Sequence, residues 1–467
     1  MKVVVVGGGF AGLAAAIHLQ ERRHDVRLLE RRGVLGGRAT SYRDAASGED
    51  VDNGTHLMIA GYGATLDLVR RAGAADLLHV QDDLRIDYVD DQGPTALACP
   101  RLPAPFHLLA GLLGLRVPWR VRLEALRLGL AIRLGRKPQG LTLAEYFRRH
   151  GQSATTRRLL WDPLAIAILN ETPERADASL FWNVYREAFL RTSRASRLVF
   201  LKQGWGVLHE RLAAYFQARG GLIHRRALAE GIEVVEGRVR GVRYLQRAST
   251  RDDIRKGRRA EPARAEADAV VAAVPWHALP GLLPEPWPTE APFAGLRALG
   301  ASPIVSIELW LDRVAVDRAM VGLRDSEVEW VFDKGRLFGR EAAPQHLAFI
   351  TSAAVRTSVR PNAELALLAE TALRRYFPAM AGATVTRSLV MREAEATFSC
   401  GPEAEAVRFG PGTPVAGLYV AGDWTNTGLP ATIEGAVRSG VRAAEEAASQ
   451  QSPIFTLSRG RPASDVA

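Results

Sequence analysis

The chain has 467 residues, 47% of them apolar and 24% charged, and a net charge of +10. That length is too great for one ordinary core, so two or three units are expected, and the composition excludes disorder. Cys99 and Cys400 are the only cysteines, which excludes a disulfide framework and a cysteine-cluster metal site, fits a reducing compartment, and leaves no metal expected.

The chain opens on "KVVVV" (Lys2–Val6), a continuous apolar run suited to a buried parallel strand, so no signal peptide is expected. "GGGFAG" and a small-residue helix over Leu13–Arg22 follow, then "HDVRLLE", a second strand ending in Glu30. This is a βαβ unit within about thirty residues. Gly7, Gly9 and Gly12 form G-x-G-x-x-G between strand and helix. The first glycine allows the tight turn, the second the approach of a pyrophosphate, and the third close helix packing. Glu30 stands where a carboxylate binds ribose hydroxyls, and it would repel a 2′-phosphate despite Arg31 and Arg32. "LGGRATSY" (Leu35–Tyr42) adds a second glycine turn with Gly37, and Arg38 to neutralise a pyrophosphate. That addition moves the choice from NAD toward FAD. "VDNGTHLM" (Val51–Met58) puts Asn53, Gly54, Thr55 and His56 in a loop at a strand end, with Asp52 read as a loop cap or a partner of Arg38.

The stretch Leu102–Lys137 is predicted as a docking surface. Its second half, wound at 3.6 residues per turn, carries two apolar faces. Trp119, Leu123, Leu126, Leu130 and Leu134 form one; Val121, Ala125, Leu128 and Ile132 form the other. Arg120 and Arg127 lie on one seam, with Arg122, Arg133 and Arg136 on the opposite seam. The pattern suits a helix pressed between protein and bilayer, or equally one packed on both sides. No uncharged run reaches the roughly 18–20 residues needed for a span. Zinc-finger spacing, RNA-binding strand motifs and aromatic–basic interleaving are absent, so no nucleic acid partner is expected. Trp161, Asp162, Asn170, Trp182 and Arg186 fall on helical segments. They line a cavity or serve as a helical core with an internal ion pair. Trp182 and Arg186 share a face.

A helix, a strand and a hairpin-like pair over Gly231–Tyr244 come next, then an exposed charged loop over 247–268 and a buried strand, Ala267–Pro275. Ser302–Leu311 and His346–Ser352 read as strands of a separate sheet. Near the end, "GLYVAGDWTNTGLPATIEGAVRSG" runs from a strand through Gly422 and Asp423 into a helix, and the polar residues 448–467 read as a disordered tail.

Together "VVVVGGGFAGLAAAIHL", "LLERRGVLGGRATSY" and the closing motif resemble the FAD-dependent amine oxidase and phytoene desaturase superfamily. "DNGTHLMIAGY", "WDPLAIAILNETPERADASLF" and "KQGWGVLHERLA" are most similar to the bacterial squalene-associated desaturases, the hydroxysqualene dehydroxylases. The resemblance implies an α/β (α+β overall) fold of the amine oxidase type, in which a Rossmann-like FAD-binding domain (1–90, 196–290 and 405–447) interleaves with a mixed sheet-and-helix substrate and membrane-docking domain (91–195 and 291–404). It implies ADP-side contacts from Gly7, Gly9, Phe10, Ala11, Gly12, Glu30 and Arg31, with Val234 near the adenine. Gly37, Arg38, Gly54, Thr55 and His56 follow along the cofactor. Gly422 and Asp423, with Thr432 and Ile433 at the helix N-terminus, complete the flavin end. FAD is expected to be non-covalent, since neither cysteine lies in the closing motif.

The implied reaction is reductive removal of the hydroxyl of hydroxysqualene by hydride from reduced flavin, giving squalene on the way to hopanoids. The implied setting is the cytoplasmic side of the inner membrane, with a long-chain C30 isoprenoid as substrate and an external electron donor. Such a step needs a proton donor. His56 is the candidate acid, or else a hydrogen-bond partner of flavin or backbone, with Asn53 and Arg186 as further candidate catalytic residues. The rivals are an oxidative carotenoid or phytoene-type desaturase, an amine oxidase whose aromatic cage Trp424 would join, and a prenyl-binding escort without redox chemistry.

Overall fold

The computed structural model describes residues 1–247 and 260–449. Lys2–Val6, Asp25–Glu30, Leu222–Arg225, Ala269–Ala272 and Leu418–Val420 form one five-stranded sheet. All of its pairings are parallel. The opening strand lies at its centre, which is why Val3–Val6 need no polar face: all four are buried. The helix Phe10–Glu21 covers one side and packs against the closing helix Ile433–Ser449. The two approach closely because a side chain on Gly440 would run into the carbonyl of Ala11.

A three-stranded antiparallel meander (Ala227–Val235, Arg238–Arg247, Ala260–Glu266) follows the parallel sheet. The charged segment expected to be loop is therefore strand over Ala260–Glu266; its residues 248–259 lie outside the described residues, as do 450–467 of the expected disordered tail.

The second large sheet has seven strands, in the order Val385–Phe398, Ala301–Leu311, Gln345–Thr351, Trp330–Asp333, Met320–Leu323, Arg85–Asp90, Gly93–Ala98. Strands alternate their side chains between faces. Val305, Ile307 and Leu309 pack with Leu365 and Leu373 of the helix Asn362–Tyr376, while Trp330, Phe332, Ala348 and Ile350 join a layer with Leu57, Ile59 and Leu429. The division expected at residue 90 cuts a hairpin: Arg85–Asp90 pairs with Gly93–Ala98 and with Met320–Leu323, so this strand belongs with the seven-stranded sheet.

The helix Phe106–Gly114 packs on the strand Gly93–Ala98 of that sheet, while Ala125, Leu128 and Ile132 of the helix Trp119–Leu134 share a core with the parallel sheet and the meander. In Trp119–Leu134, Val121, Ala125, Leu128 and Ile132 are buried, whereas Trp119 and Leu134 are 66% and 74% exposed and Leu123, Leu126 and Leu130 also face out. One of the two apolar faces is thus packed and the other bare. Phe106 and Leu113 of the preceding helix Phe106–Gly114 are exposed as well. Among the described residues, no helix is long and apolar enough to cross a membrane.

Candidate active site and cofactor cradle

The glycine motif follows the opening strand at the C-terminal edge of the parallel sheet. Gly7 adopts φ +107°, and a side chain there or at Gly12 would strike backbone. Gly9 has nothing nearer than 3.9 Å to where a side chain would begin, and those neighbours are the backbone of Gly36 and Gly37. The two glycine turns therefore face each other, joined by the Gly36 N–H donating to the Gly8 carbonyl at 2.9 Å. Phe10 and Ala11 turn their side chains into the packing, which leaves their backbone N–H groups, at the helix start, to meet a phosphate. Glu30 is buried, its carboxylate accepting from the N–H groups of Gly8 (2.8 Å) and Arg32 (2.7 Å). Arg31 is exposed beside it.

The far half arrives from 385 residues away. Asp423, buried, pairs with Arg38 at 2.5 Å, and Arg38 also donates to the Ala396 carbonyl at 2.9 Å. Gly422 adopts φ +152° and donates its N–H to Ser439 Oγ at 2.8 Å. Thr432 caps the closing helix, accepting from Gly435 N at 3.0 Å, and Ile433 packs at its first turn. Glu434 turns instead to the backbone of Ala64 and Thr65.

Thr55 and His56 lie on the loop after Asp52. Thr55 Oγ1, His56 Nε2 and His209 Nε2 are buried without a hydrogen-bond partner. Buried polar atoms ordinarily have one. His209 packs tilted against Phe10, ring centres 4.6 Å apart, and its ring would touch any side chain at Gly36. His56 meets Trp205 edge-on at 5.5 Å. Burial lowers the His56 pKa, against the pull of Asp52, and burial pushes His209 down to about 4. Unsatisfied polar atoms beside two open glycine turns, with open space at Gly54, are what a dinucleotide-linked flavin would fill. The residues fit FAD.

A model of the family described as flavin containing amine oxidoreductase matches residues 10–448. The chain belongs to that family. It is an FAD-dependent oxidoreductase. Hydroxysqualene dehydroxylase of Rhodopseudomonas palustris is 31% identical over 95% of this chain and 97% of its own length. The probable zeta-carotene desaturase of Synechococcus elongatus is 27% identical over 95% and 98%. Among solved structures, an oxidoreductase from Methanosarcina mazei superposes with a TM-score of 0.72 at 18% identity, over 96% of this chain and 100% of that one. Cyclohexylamine oxidase from Brevibacterium oxydans superposes at 0.67 and 17%, over 96% and 99%. These last two show the amine oxidase fold.

Several expected placements are corrected. Val234 lies at the opposite end of the sheet from Glu30. It lines a surface cavity of about 840 Å³ with Lys2 and Asp268, beside the N-terminal ends of the strands. The part of its strand next to the cofactor is the start, since Arg225 pairs with Glu30 and Arg226 N donates to Arg32 O. Arg186 is structural: it donates to the carbonyls of Ile132 and Arg133, both at 3.1 Å, capping the Trp119–Leu134 helix, and stacks on Trp182. Asn53 Nδ2 is spent on Glu393 at 3.1 Å. Trp161 is core, its indole N–H on Gln152 at 2.7 Å; Asp162 pairs with Arg157; Asn170 ties Ser302 to Thr397. Trp424 is fully buried with its N–H on the Val274 carbonyl, so it cannot wall a substrate site.

Asp52 does not pair with Arg38. Its partners are Ser41 Oγ (2.6 Å), Trp205 N (3.2 Å) and Lys334 Nζ (2.5 Å). Sequence reading missed Lys334, since its partner is 282 residues away. It also missed a buried histidine held between two glutamates: His346 bonds Glu308 at 2.8 Å and Glu49 at 3.1 Å. That contact holds Glu49 down to about 2, and the two carboxylates raise His346 despite its burial.

Proposed function

We propose that the protein reductively dehydroxylates hydroxysqualene to squalene. The observation that carries this reading is the layer between the seven-stranded sheet and the loop bearing His56. Phe189, Leu198, Phe200, Trp330, Phe332 and Ile350 pack with Leu57, Ile59 and Leu429 in one buried apolar layer there. An apolar layer on the His56 side of the sheet matches a hydrocarbon chain better than a charged ammonium group. Trp424, the aromatic named for an amine cage, is instead in the core. The similarity to hydroxysqualene dehydroxylases over nearly the full length supports the same choice. FAD supplies hydride chemistry when bound; His56, on the cofactor loop with a free Nε2, is the proton donor for the departing hydroxyl. The similarity to the zeta-carotene desaturase favours the oxidative alternative. Anaerobic incubation of dithionite-reduced enzyme with hydroxysqualene tests the choice. Squalene is the expected product, and its absence, with desaturation of a carotenoid precursor by the oxidised enzyme, would reverse the direction of hydride flow.

The substrate is to be drawn from lipid. We place the bare face of the Trp119–Leu134 helix, with exposed Phe106 and Leu113, on an anionic inner-membrane surface on its cytoplasmic side. Exposed Arg120, Arg127, Arg133 and Arg136 ring that face, matching lipid phosphates. Arg122 is excluded from that ring, because it donates to the Leu115 carbonyl at 2.9 Å. The electron donor is external to the chain.

A further inference from the structure

The Asp52–Lys334 pair is among the most enclosed in the described residues, with side chains 4% and 3% exposed. Each partner comes from a different half of the protein. Lys334 begins the short helix Lys334–Leu337, directly after the strand Trp330–Asp333 of the seven-stranded sheet. Its backbone is pinned there: Asp333 accepts from Arg336 N at 2.9 Å and from Gln345 Nε2 at 2.7 Å. Asp52 ends a small hairpin on the cofactor side, four residues before His56, and its other oxygen takes Ser41 Oγ and Trp205 N.

A buried ion pair is a poor source of stability, since apolar residues of similar volume serve as well. What it does offer is register, because a charge with a single satisfying position fixes the chain on both sides. Here it ties the substrate-side sheet to the loop that carries Thr55 and His56. We propose that Lys334 is a positioning residue, which through Asp52 holds the 52–56 loop against FAD and sets the charge that His56 experiences. The groups that act on His56 are Asp52, Lys334 and Arg38, whose backbone also hydrogen-bonds the ring; Trp205 lies edge-on to it at 5.5 Å, and its carbonyl holds His209 Nδ1. Asp52 raises the proton affinity of His56; Lys334 and the Arg38 charge lower it.

The inference rests on the FAD site and on His56 lying beside it, not on the identity of the terpene, so it is tested without turnover. The titration of His56 is followed in the FAD-loaded protein by histidine NMR, assigned with His56→Gln. Lys334→Met is expected to move the His56 midpoint up and Asp52→Asn to move it down, with Lys334→Arg restoring the original value. A purely structural pair would not move it in opposite senses. Because a lone buried charge can prevent folding, Asp52→Asn/Lys334→Met is measured as well. It keeps the apo melting temperature but binds FAD about tenfold more weakly, having lost the tether. Unchanged FAD affinity in the double variant, or a His56 midpoint indifferent to both single variants, would overturn the proposal. Failure of the unaltered enzyme to turn over hydroxysqualene, with these results intact, would instead count against the proposed substrate.

Discussion

The two sheets contribute to the site in opposite ways. The parallel sheet builds the cradle itself from backbone, with Gly7, Gly9 and Gly12 shaping it within six positions, and adds side chains only at its ends, Glu30 on Gly8 and Asp423 on Arg38. The antiparallel sheet contributes through side chains, Lys334 reaching Asp52 across 282 residues, and it carries a second buried cluster in His346 with Glu49 and Glu308. Side chains at Gly7 and Gly12 would strike backbone, whereas a side-chain pair can be tuned.

The largest effect is expected in the backbone half. Gly12→Val drives a side chain into the Gly7 carbonyl and should cost more than about 4 kcal/mol, leaving no cooperative thermal transition. Asp423→Ala comes next. It removes the partner of Arg38 and should weaken FAD by about tenfold to a hundredfold, measured by flavin release on dilution, while the apoprotein still melts cooperatively. The same loss of fold as in Gly12→Val would erase the distinction between the two kinds of construction.

A tunable side-chain half should also respond to pH. Burial raises the Glu329 carboxyl from 4.5 to about 7. The folded pKa is the higher one, so between those values the native state keeps a proton that the unfolded chain has lost, and stability falls as pH rises through that window. Glu329→Gln should flatten this fall and add about 1–2 kcal/mol above it, after allowance for residual solvent contact; denaturant titrations at several pH values would detect a persisting slope. The smallest effect on stability belongs to the bare helix face. Leu126→Glu with Leu130→Glu should change folding by less than about 0.5 kcal/mol, since both side chains already face water. It should nevertheless abolish sedimentation with anionic liposomes, and unchanged liposome binding would refute the docking surface.

The same contrast explains what could be read from the chain. The cradle was legible because its chemistry is local: glycines at fixed spacing, an acid at a strand end, a second glycine turn. The helix Trp119–Leu134 was legible because 3.6-residue periodicity separates Leu128 and Ile132 from Leu130 and Leu134, and the structure buries the first pair only. Val234 misled because a strand's pattern says nothing about which end of it meets the cofactor. Arg186 looked functional for sharing a face with Trp182, yet its guanidinium is used on helix carbonyls. Lys334 carried no signal at all: a lysine following "WVFD" is ordinarily a surface residue, and only the fold brings Asp52 to it.

In the proposed reaction, electrons move from flavin to a terpene alcohol. Mixing anaerobically reduced enzyme with hydroxysqualene and following the flavin absorbance measures this directly. Return of the oxidised-flavin spectrum, with one squalene formed per flavin, is the predicted result. A flavin that stays reduced with hydroxysqualene, in protein whose oxidised form is bleached by a carotenoid precursor, would contradict it.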